Sequence, residues 1–151
     1  MRWLSFIAVG AFPLCGGAGP PHRWEAALGQ AYRGPKRTIL CIDDDNAILQ
    51  YERALLERCG YNVVATASAQ QGLTLAMMLP ADAVILDYHM PGINGHNVAA
   101  AIKKCRPEIL IVMFSGSEIP EETFTLVDAV VFKTDAIGQL VPTVTQLLQQ
   151  A

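Results

Sequence analysis

Five short runs of aliphatic and β-branched residues recur along this chain, separated by stretches of helical periodicity, and that alternation leaves few folds open. The runs cover residues 38–42, 61–65, 83–86, 109–114 and 129–132. Each is nearly continuous in apolar side chains, as expected of a strand covered on both faces. After the first run, Ile48, Tyr51, Leu55 and Cys59 recur at helical spacing, and Gly60 supplies a stop. Ser68 can cap a second helix holding Leu73, Ala76 and Met77 until Pro80. A third helix, from about Asn97 to Cys105, turns Val98, Ala101 and Ile102 inward before Pro107, and residues 120–126 fit a short fourth one. The last helix places Leu140, Val141, Val144, Leu147 and Leu148 on one face, with Pro142 expected only in a first turn.

A β-α alternation repeated five times predicts an α/β fold with a parallel sheet and helices on both faces. Right-handed crossovers reduce the arrangements to a few. The doubly wound, flavodoxin-like five-stranded sheet of order 2-1-3-4-5 is the common one, with its switch point between the first and third strands. The 151 residues suffice for one domain with its own core, and 52% apolar against 17% charged residues marks a globular chain. Cys15, Cys41, Cys59 and Cys105 are widely spaced and form no C-x-x-C pair, which suggests packed thiols in a reducing compartment rather than a disulfide framework.

Charge divides the chain. Arg2, Arg23, Arg33, Lys36 and Arg37 against Glu25 give residues 1–37 a charge of +4, which leaves -7 for the remainder of a chain whose total is -3. An acidic folded part argues against a nucleic-acid surface and suits a site that holds a cation. Arg2 and the apolar residues 3–12 resemble the start of a secretory signal, too short for a membrane span and interrupted by Pro13. The stretches 19–21 and 34–37 read as linker. Residues 1–36 are therefore an extension, loosely ordered or signal-like, with a packed helix over 24–32 as a further reading, and residues 37–151 form the domain.

Four strand ends carry the chemistry. Asp43, Asp44 and Asp45 close the first run, Asp87 the third, Ser115 the fourth and Lys133 the fifth. A carboxylate at the end of a buried strand is costly unless it opens into a solvated crevice, and in an open α/β sheet that crevice lies at the carboxyl ends of the strands. Carboxylates gathered there repel one another, so some are protonated or a cation sits among them, and a few hard oxygen ligands suit Mg2+. Lys133 and Ser115 could hold the oxygens of a phosphoryl group, with Asp87 as the nucleophile that forms an acyl phosphate. Each residue has a plainer role available. The first three aspartates can cap a helix, Asp45 above all, Ser115 and Lys133 can be ordinary surface residues, His89 an exposed loop residue and the cysteines core.

The segments I-L-C-I-D-D-D (39 to 45), I-L-D-Y-H-M-P-G-I-N-G (85 to 95), I-V-M-F-S-G (111 to 116) and F-K (132 to 133) resemble the receiver domain of bacterial two-component response regulators, over roughly residues 37 to 150. The resemblance implies that Asp87 accepts a phosphoryl group from a sensor histidine kinase or phosphotransfer protein with Mg2+. It implies that Asp43, Asp44, Asp87 and the backbone carbonyl of His89 hold the metal, that Ser115 contacts the phosphoryl group and that Lys133 pairs with it. Two features depart from that family. Thr134 follows the lysine where proline is usual, and Val130 stands where a switch aromatic is usual, with Phe132 on the same side of the strand as a substitute. The link between Ser115 and Lys133 is short, which suggests a reduced fourth helix.

The resulting expectation is a stand-alone phosphoaccepting receiver, cytoplasmic, not a turnover enzyme, without nucleic-acid or membrane contact by the folded domain, and signalling through protein contact. One alternative is a receiver-like binding module that acts without phosphate. Another is a phosphatase of the haloacid dehalogenase type, since Asp43-x-Asp45 after a first strand matches its nucleophile pattern.

Overall fold

The computed structural model describes residues 36–151, and the expectations for the first 35 residues, Cys15 included, lie outside the described residues. Strands β1 (Thr38–Ile42), β2 (Asn62–Thr66), β3 (Ala83–Asp87), β4 (Leu110–Ser115) and β5 (Ala129–Phe132) form one parallel sheet in the order β2-β1-β3-β4-β5. Helices α1 (Asn46–Arg58), α2 (Ala69–Met78), α3 (Gly95–Cys105) and α4 (Ala136–Gln150) connect and cover it. This is the flavodoxin-like order expected from the sequence. Between β4 and β5 the chain makes only a 3-10 turn, Glu121–Thr125, so the reduced fourth helix is real and shorter than the helix expected over 120–126.

Strand alternation divides the core in two. Ile39, Cys41, Ile85, Val112, Phe114 and Val131 face Leu49 and Leu56 of α1 and Leu140, Val144 and Leu148 of α4. Leu40, Ile42, Val84, Leu86, Ile111 and Met113 face Ala69 and Ala76 of α2 and Val98, Ala99 and Ile102 of α3. In-register pairing of Cys41 with Ile85, Asp87 with Phe114 and Ser115 with Phe132 brings the carboxyl ends of four strands to one level.

Several local expectations shift. The second strand begins at Asn62, because the Tyr61 N–H is drawn back to the Leu56 carbonyl at 3.2 Å as α1 closes. The fully buried stripe of α1 is Leu49, Glu52 and Leu56, one residue on from the expected face, whose members are only half-buried. On α2 the sheet contact is made by Ala69, Gly72 and Ala76, and Met77 is exposed. Cys105 is exposed at the end of α3 and Cys59 half-buried, so of the described cysteines only Cys41 belongs to the core. Pro142 lies inside α4 and not in its first turn, because the 3-10 turn Lys133–Asp135 starts the helix six residues earlier. Burial of Leu140, Val144 and Leu148 outweighs the bond that Pro142 cannot donate to Gly138, and Pro142 itself is exposed, where water can serve that carbonyl.

The ends of the helices are closed by specific side chains. Ser68 Oγ accepts the Gln71 N–H at 3.2 Å, and Asn94 Oδ1 accepts the Asn97 N–H at 3.0 Å. Arg106 donates to the carbonyls of Ala76 (3.1 Å) and Leu79 (3.4 Å), which end α2 without intrahelical partners. α3 starts two residues earlier than expected, at Gly95, whose N–H donates to the Tyr88 carbonyl at 2.8 Å. A Cβ at Gly95 would lie 2.5 Å from the Asp87 carbonyl oxygen and 2.8 Å from the Tyr88 Cα, so only glycine lets the helix start this close to the end of β3. At Gly72 the obstacle is the Ile42 side chain alone, with Cδ1 at 2.5 Å, Cγ1 at 2.9 Å and Cγ2 at 3.0 Å, and no backbone atom nearer, so a shift of that side chain can share the strain. Gly95→Ala should therefore cost about 2–3 kcal/mol in urea unfolding and Gly72→Ala clearly less; equal losses would contradict the backbone contact.

Candidate phosphoacceptor site

The site begins where β1 ends. The Asp43 N–H donates to the Thr66 carbonyl at 3.3 Å, which extends the β1–β2 ladder by one residue. Asp43 Oδ1 then accepts the Asp45 N–H at 2.9 Å, and Asp45 Oδ1 accepts those of Ala47 (2.8 Å) and Ile48 (3.4 Å). Asp45 is thus the cap of α1, as its plainer reading required, and its carboxylate is turned to the helix. Asp43 is 0% exposed, and Asp44 is exposed at the rim.

Asp87, the last residue of β3, is 4% exposed. Lys133, the first residue after β5, places Nζ 2.6 Å from Asp43 Oδ2 and 3.2 Å from Asp87 Oδ1, and the ammonium lies 5.8 Å from the centre of the Phe114 ring. One carboxylate oxygen each from Asp43, Asp44 and Asp87 falls within 4.8 Å of the others. Three hard donors so close, facing a single lysine, leave an excess of negative charge that a small divalent ion with its own waters fits well. Burial raises the pKa of Asp87 and the Asp43 carboxylate raises it further, while Lys133 opposes both. For Lys133, burial works against the charge, but the bond to Asp43 and the charges of Asp43 and Asp87 outweigh it and raise its pKa. The ammonium is therefore firmly charged, and the Asp87 carboxylate is held less firmly than a surface one.

Ser115 is buried at the end of β4, in the expected place. Its hydroxyl donates to the Ser117 carbonyl at 2.8 Å and accepts the Ser117 N–H at 3.3 Å. It must turn from that local bond before it can donate elsewhere. His89 is exposed, and its Nε2 lies 2.8 Å from Ser117 Oγ, so the ring bridges the loops after β3 and β4. No cis peptide bond occurs among the described residues, and Lys133–Thr134 is trans. Val130 is half-buried against the α2–α3 side of the core, and Phe132, two residues on, is 37% exposed at the rim.

Sequence reasoning missed Glu52. It lies in the middle of α1, is 1% exposed, and shares a hydrogen bond with the Cys41 thiol. Its pKa is pushed up to about 8, chiefly by burial and next by the Asp43 charge, with Lys133 and Cys41 opposing. The only available signal was its place, three residues after Leu49 and four before Leu56, and a glutamate there reads as the polar side of a helix.

The chain matches the family model of the response regulator receiver domain over residues 39–136. It is 33% identical over 79 residues to the tetrathionate response regulatory protein TtrR of Salmonella typhimurium, which covers 52% of this chain and 38% of that protein. It is 28% identical over 78 residues to the cell cycle response regulator CtrA of Brucella ovis, with 52% of this chain and 34% of that one covered. The chain thus spans little more than a third of the length of the curated relatives it matches. A CheY-like receiver domain protein from Methanospirillum hungatei superposes with a TM-score of 0.72 at 26% identity, over 77% of this chain and 96% of that one. The response regulator TrrA of Thermotoga maritima, solved with Mg2+ and a beryllium fluoride, gives 0.70 at 26% identity, over 74% and 98%. Sheet order, acidic cluster and family match agree: this chain belongs to the response regulator receiver domain family of two-component systems.

Proposed function

We propose that residues 37–151 act as a phosphoacceptor receiver that takes a phosphoryl group onto Asp87 from a sensor histidine kinase or phosphotransfer protein. The observation that carries this reading is Lys133 held between Asp43 and Asp87, with three carboxylate oxygens gathered beside it. An Asp87 oxygen attacks phosphorus, the phosphorus–nitrogen bond of the donor phosphohistidine breaks, and its electron pair returns to the imidazole. Asp43, Asp44 and Asp87 would hold Mg2+, together with the His89 backbone carbonyl by family resemblance. The ion would offset phosphoryl charge, and TrrA, a relative of the same fold, was solved with Mg2+ and a beryllium fluoride. Lys133 is near enough to leave Asp43 for a phosphoryl oxygen, and Ser115 can turn from Ser117 to donate to another.

The phosphatase reading loses support because Asp45 is occupied in capping α1. A module acting without phosphate gains some from the engaged Ser115 hydroxyl, but it leaves the charge excess at the aspartates without a purpose. Cellular setting and output partner follow the receiver reading: a cytoplasmic protein that signals by protein contact rather than by turnover. Among the described residues no helix is long and apolar enough to cross a membrane.

Incubation with a small phosphodonor and Mg2+ should add one acid-stable, base-labile phosphoryl group by intact mass, and Asp87→Asn should remove the signal. Equal labelling of the Asp87→Asn protein would sink the assignment, and loss of label only in Asp43→Asn would favour the phosphatase. The output should be local. Val130 offers no ring to swing, and only a 3-10 turn joins β4 to β5, so a phosphoryl group has few contacts that differ between two states. With a phosphoryl mimic, hydrogen exchange should change over residues 115–122 and 130–134 and hardly over 140–148. Broad protection along α4 would show that Phe132 or another residue restores a wider switch.

A further inference from the structure

Glu52 has no role in the reaction described, and its position is costly. It stands between Leu49 and Leu56 in the buried stripe of α1, on the side of the sheet where β1, β3 and β5 present Cys41, Ile85 and Val131. Cys41 shares a hydrogen bond with it and lies two residues before Asp43, on the same face of β1. Its second oxygen, Oε2, is buried with no hydrogen-bond partner among the described residues. A carboxyl so placed loses its hydration without full compensation, and a well-packed leucine in its place would avoid that loss.

The charged and titratable groups around it are few. From β1 come Cys41 and Asp43, from β3 Asp87, and after β5 Lys133. On α1 itself Arg53 is exposed and occupied with the Val63 carbonyl at 3.2 Å and Glu57 at 3.5 Å. α4, the other helix on that side, contains no charged residue. Among the described residues the cation that lowers the Glu52 pKa is Lys133, and Asp43 and Asp87 already share it. Glu52 feels the two aspartates through their charges, each of which raises its pKa.

We propose, resting on the phosphoacceptor reading, that Glu52 is the buried proton store of the site: a divalent cation entering among the aspartates draws the proton off the Glu52 carboxyl into solvent. Burial keeps Glu52 neutral first and the Asp43 charge next; two positive charges among the aspartates offset that negative charge and so favour the ionised form of Glu52. Linkage is reciprocal, so an ionised Glu52 tightens the cation. The site then takes its metal, and with it the phosphoryl group, more readily as the medium becomes alkaline. The raised pKa of about 8 puts this change near neutral pH.

The sign for stability is fixed by the same pKa. Below the ordinary glutamate pKa of 4.5, Glu52 is protonated in both folded and unfolded chains; as pH rises towards about 8 the unfolded chain ionises first, and stability is progressively lost. Glu52→Gln keeps the shape and removes the proton. It should melt with the wild type near pH 4 and above it at pH 8. Identical melting at both would show an ordinary carboxyl and overturn the proposal.

The direct test is calorimetric titration of the full chain with magnesium chloride near neutral pH, in buffers of different protonation enthalpy, repeated across pH. Wild type should release more protons per ion than Glu52→Gln, which lacks the titrating carboxyl. Between pH 6.5 and 8.5 its affinity should gain about sixfold over that of Glu52→Gln, the change over that range for a fall of about one pKa unit on binding. Equal proton release and parallel pH profiles, with binding intact in both proteins, would overturn the role of Glu52 alone. A wild type that takes up no magnesium would overturn the phosphoacceptor reading and this proposal with it.

Discussion

One ammonium group shared by two buried carboxylates holds the working end of this molecule together. Lys133 meets Asp43 and Asp87 at ion-pair distance, and it comes from the strand at the edge of the sheet to the two that meet at its switch point. Two like charges about 4 Å apart in protein surroundings repel by about 4 kcal/mol, so closing β1 against β3 with both carboxylates ionised would otherwise strain the sheet there. The order β2-β1-β3-β4-β5 matters for this reason: it puts the two aspartates side by side and lets the lysine enter across the end of β4, above Phe114. The packing of α4 against the sheet, begun immediately after Lys133, fixes the base from which that side chain extends.

The site residues at strand ends were legible because two simple signals coincide there. A run of apolar residues stops, and a charged or hydroxyl residue stands at the stop; Asp43, Asp87, Ser115 and Lys133 all satisfy this. Asp45 was legible as a cap by its place before a helical period. Glu52 was not, since periodicity counts hydrophobic residues and a carboxyl inside the stripe shifts the apparent face towards Ile48, Tyr51 and Leu55. The same kind of reading found Ala76 but missed Ala69 and Gly72, because small residues let a helix sit close to a sheet and carry little hydrophobic weight. Pro142 misled in the opposite direction: its local preference for a first turn yields to the burial of three side chains spaced at one helical face. The bond from Ser115 to Ser117 depends on the hydroxyl rotor within a loop, which no spacing rule encodes.

Polar groups near the site divide into those with settled partners and those without. Asp45, Asn94 and Ser68 each close a helix, Arg106 ties the carbonyls of Ala76 and Leu79 at the end of α2, and Lys103 holds the Ile109 carbonyl at 2.8 Å and the Asp128 carboxylate at 2.8 Å. These are scaffold contacts, and their geometry is complete. Asp43, Asp87, Glu52 and Ser115 are different, for each holds a provisional arrangement that an incoming ion or phosphoryl group would change. A fold whose frame is satisfied and whose crevice is not can respond to small ligands without losing its shape.

The glycine at the start of α3 gives that response a direction. Because Gly95 brings the helix against the backbone of Asp87 and Tyr88, the α3 side of the crevice is a stiff abutment with no clearance to absorb movement. The opposite side ends in a polar loop, a single 3-10 turn and a partly exposed Phe132. A displacement produced at Asp87 would meet a wall on one side and a yielding margin on the other, so its free edge would be the outer rim of the sheet.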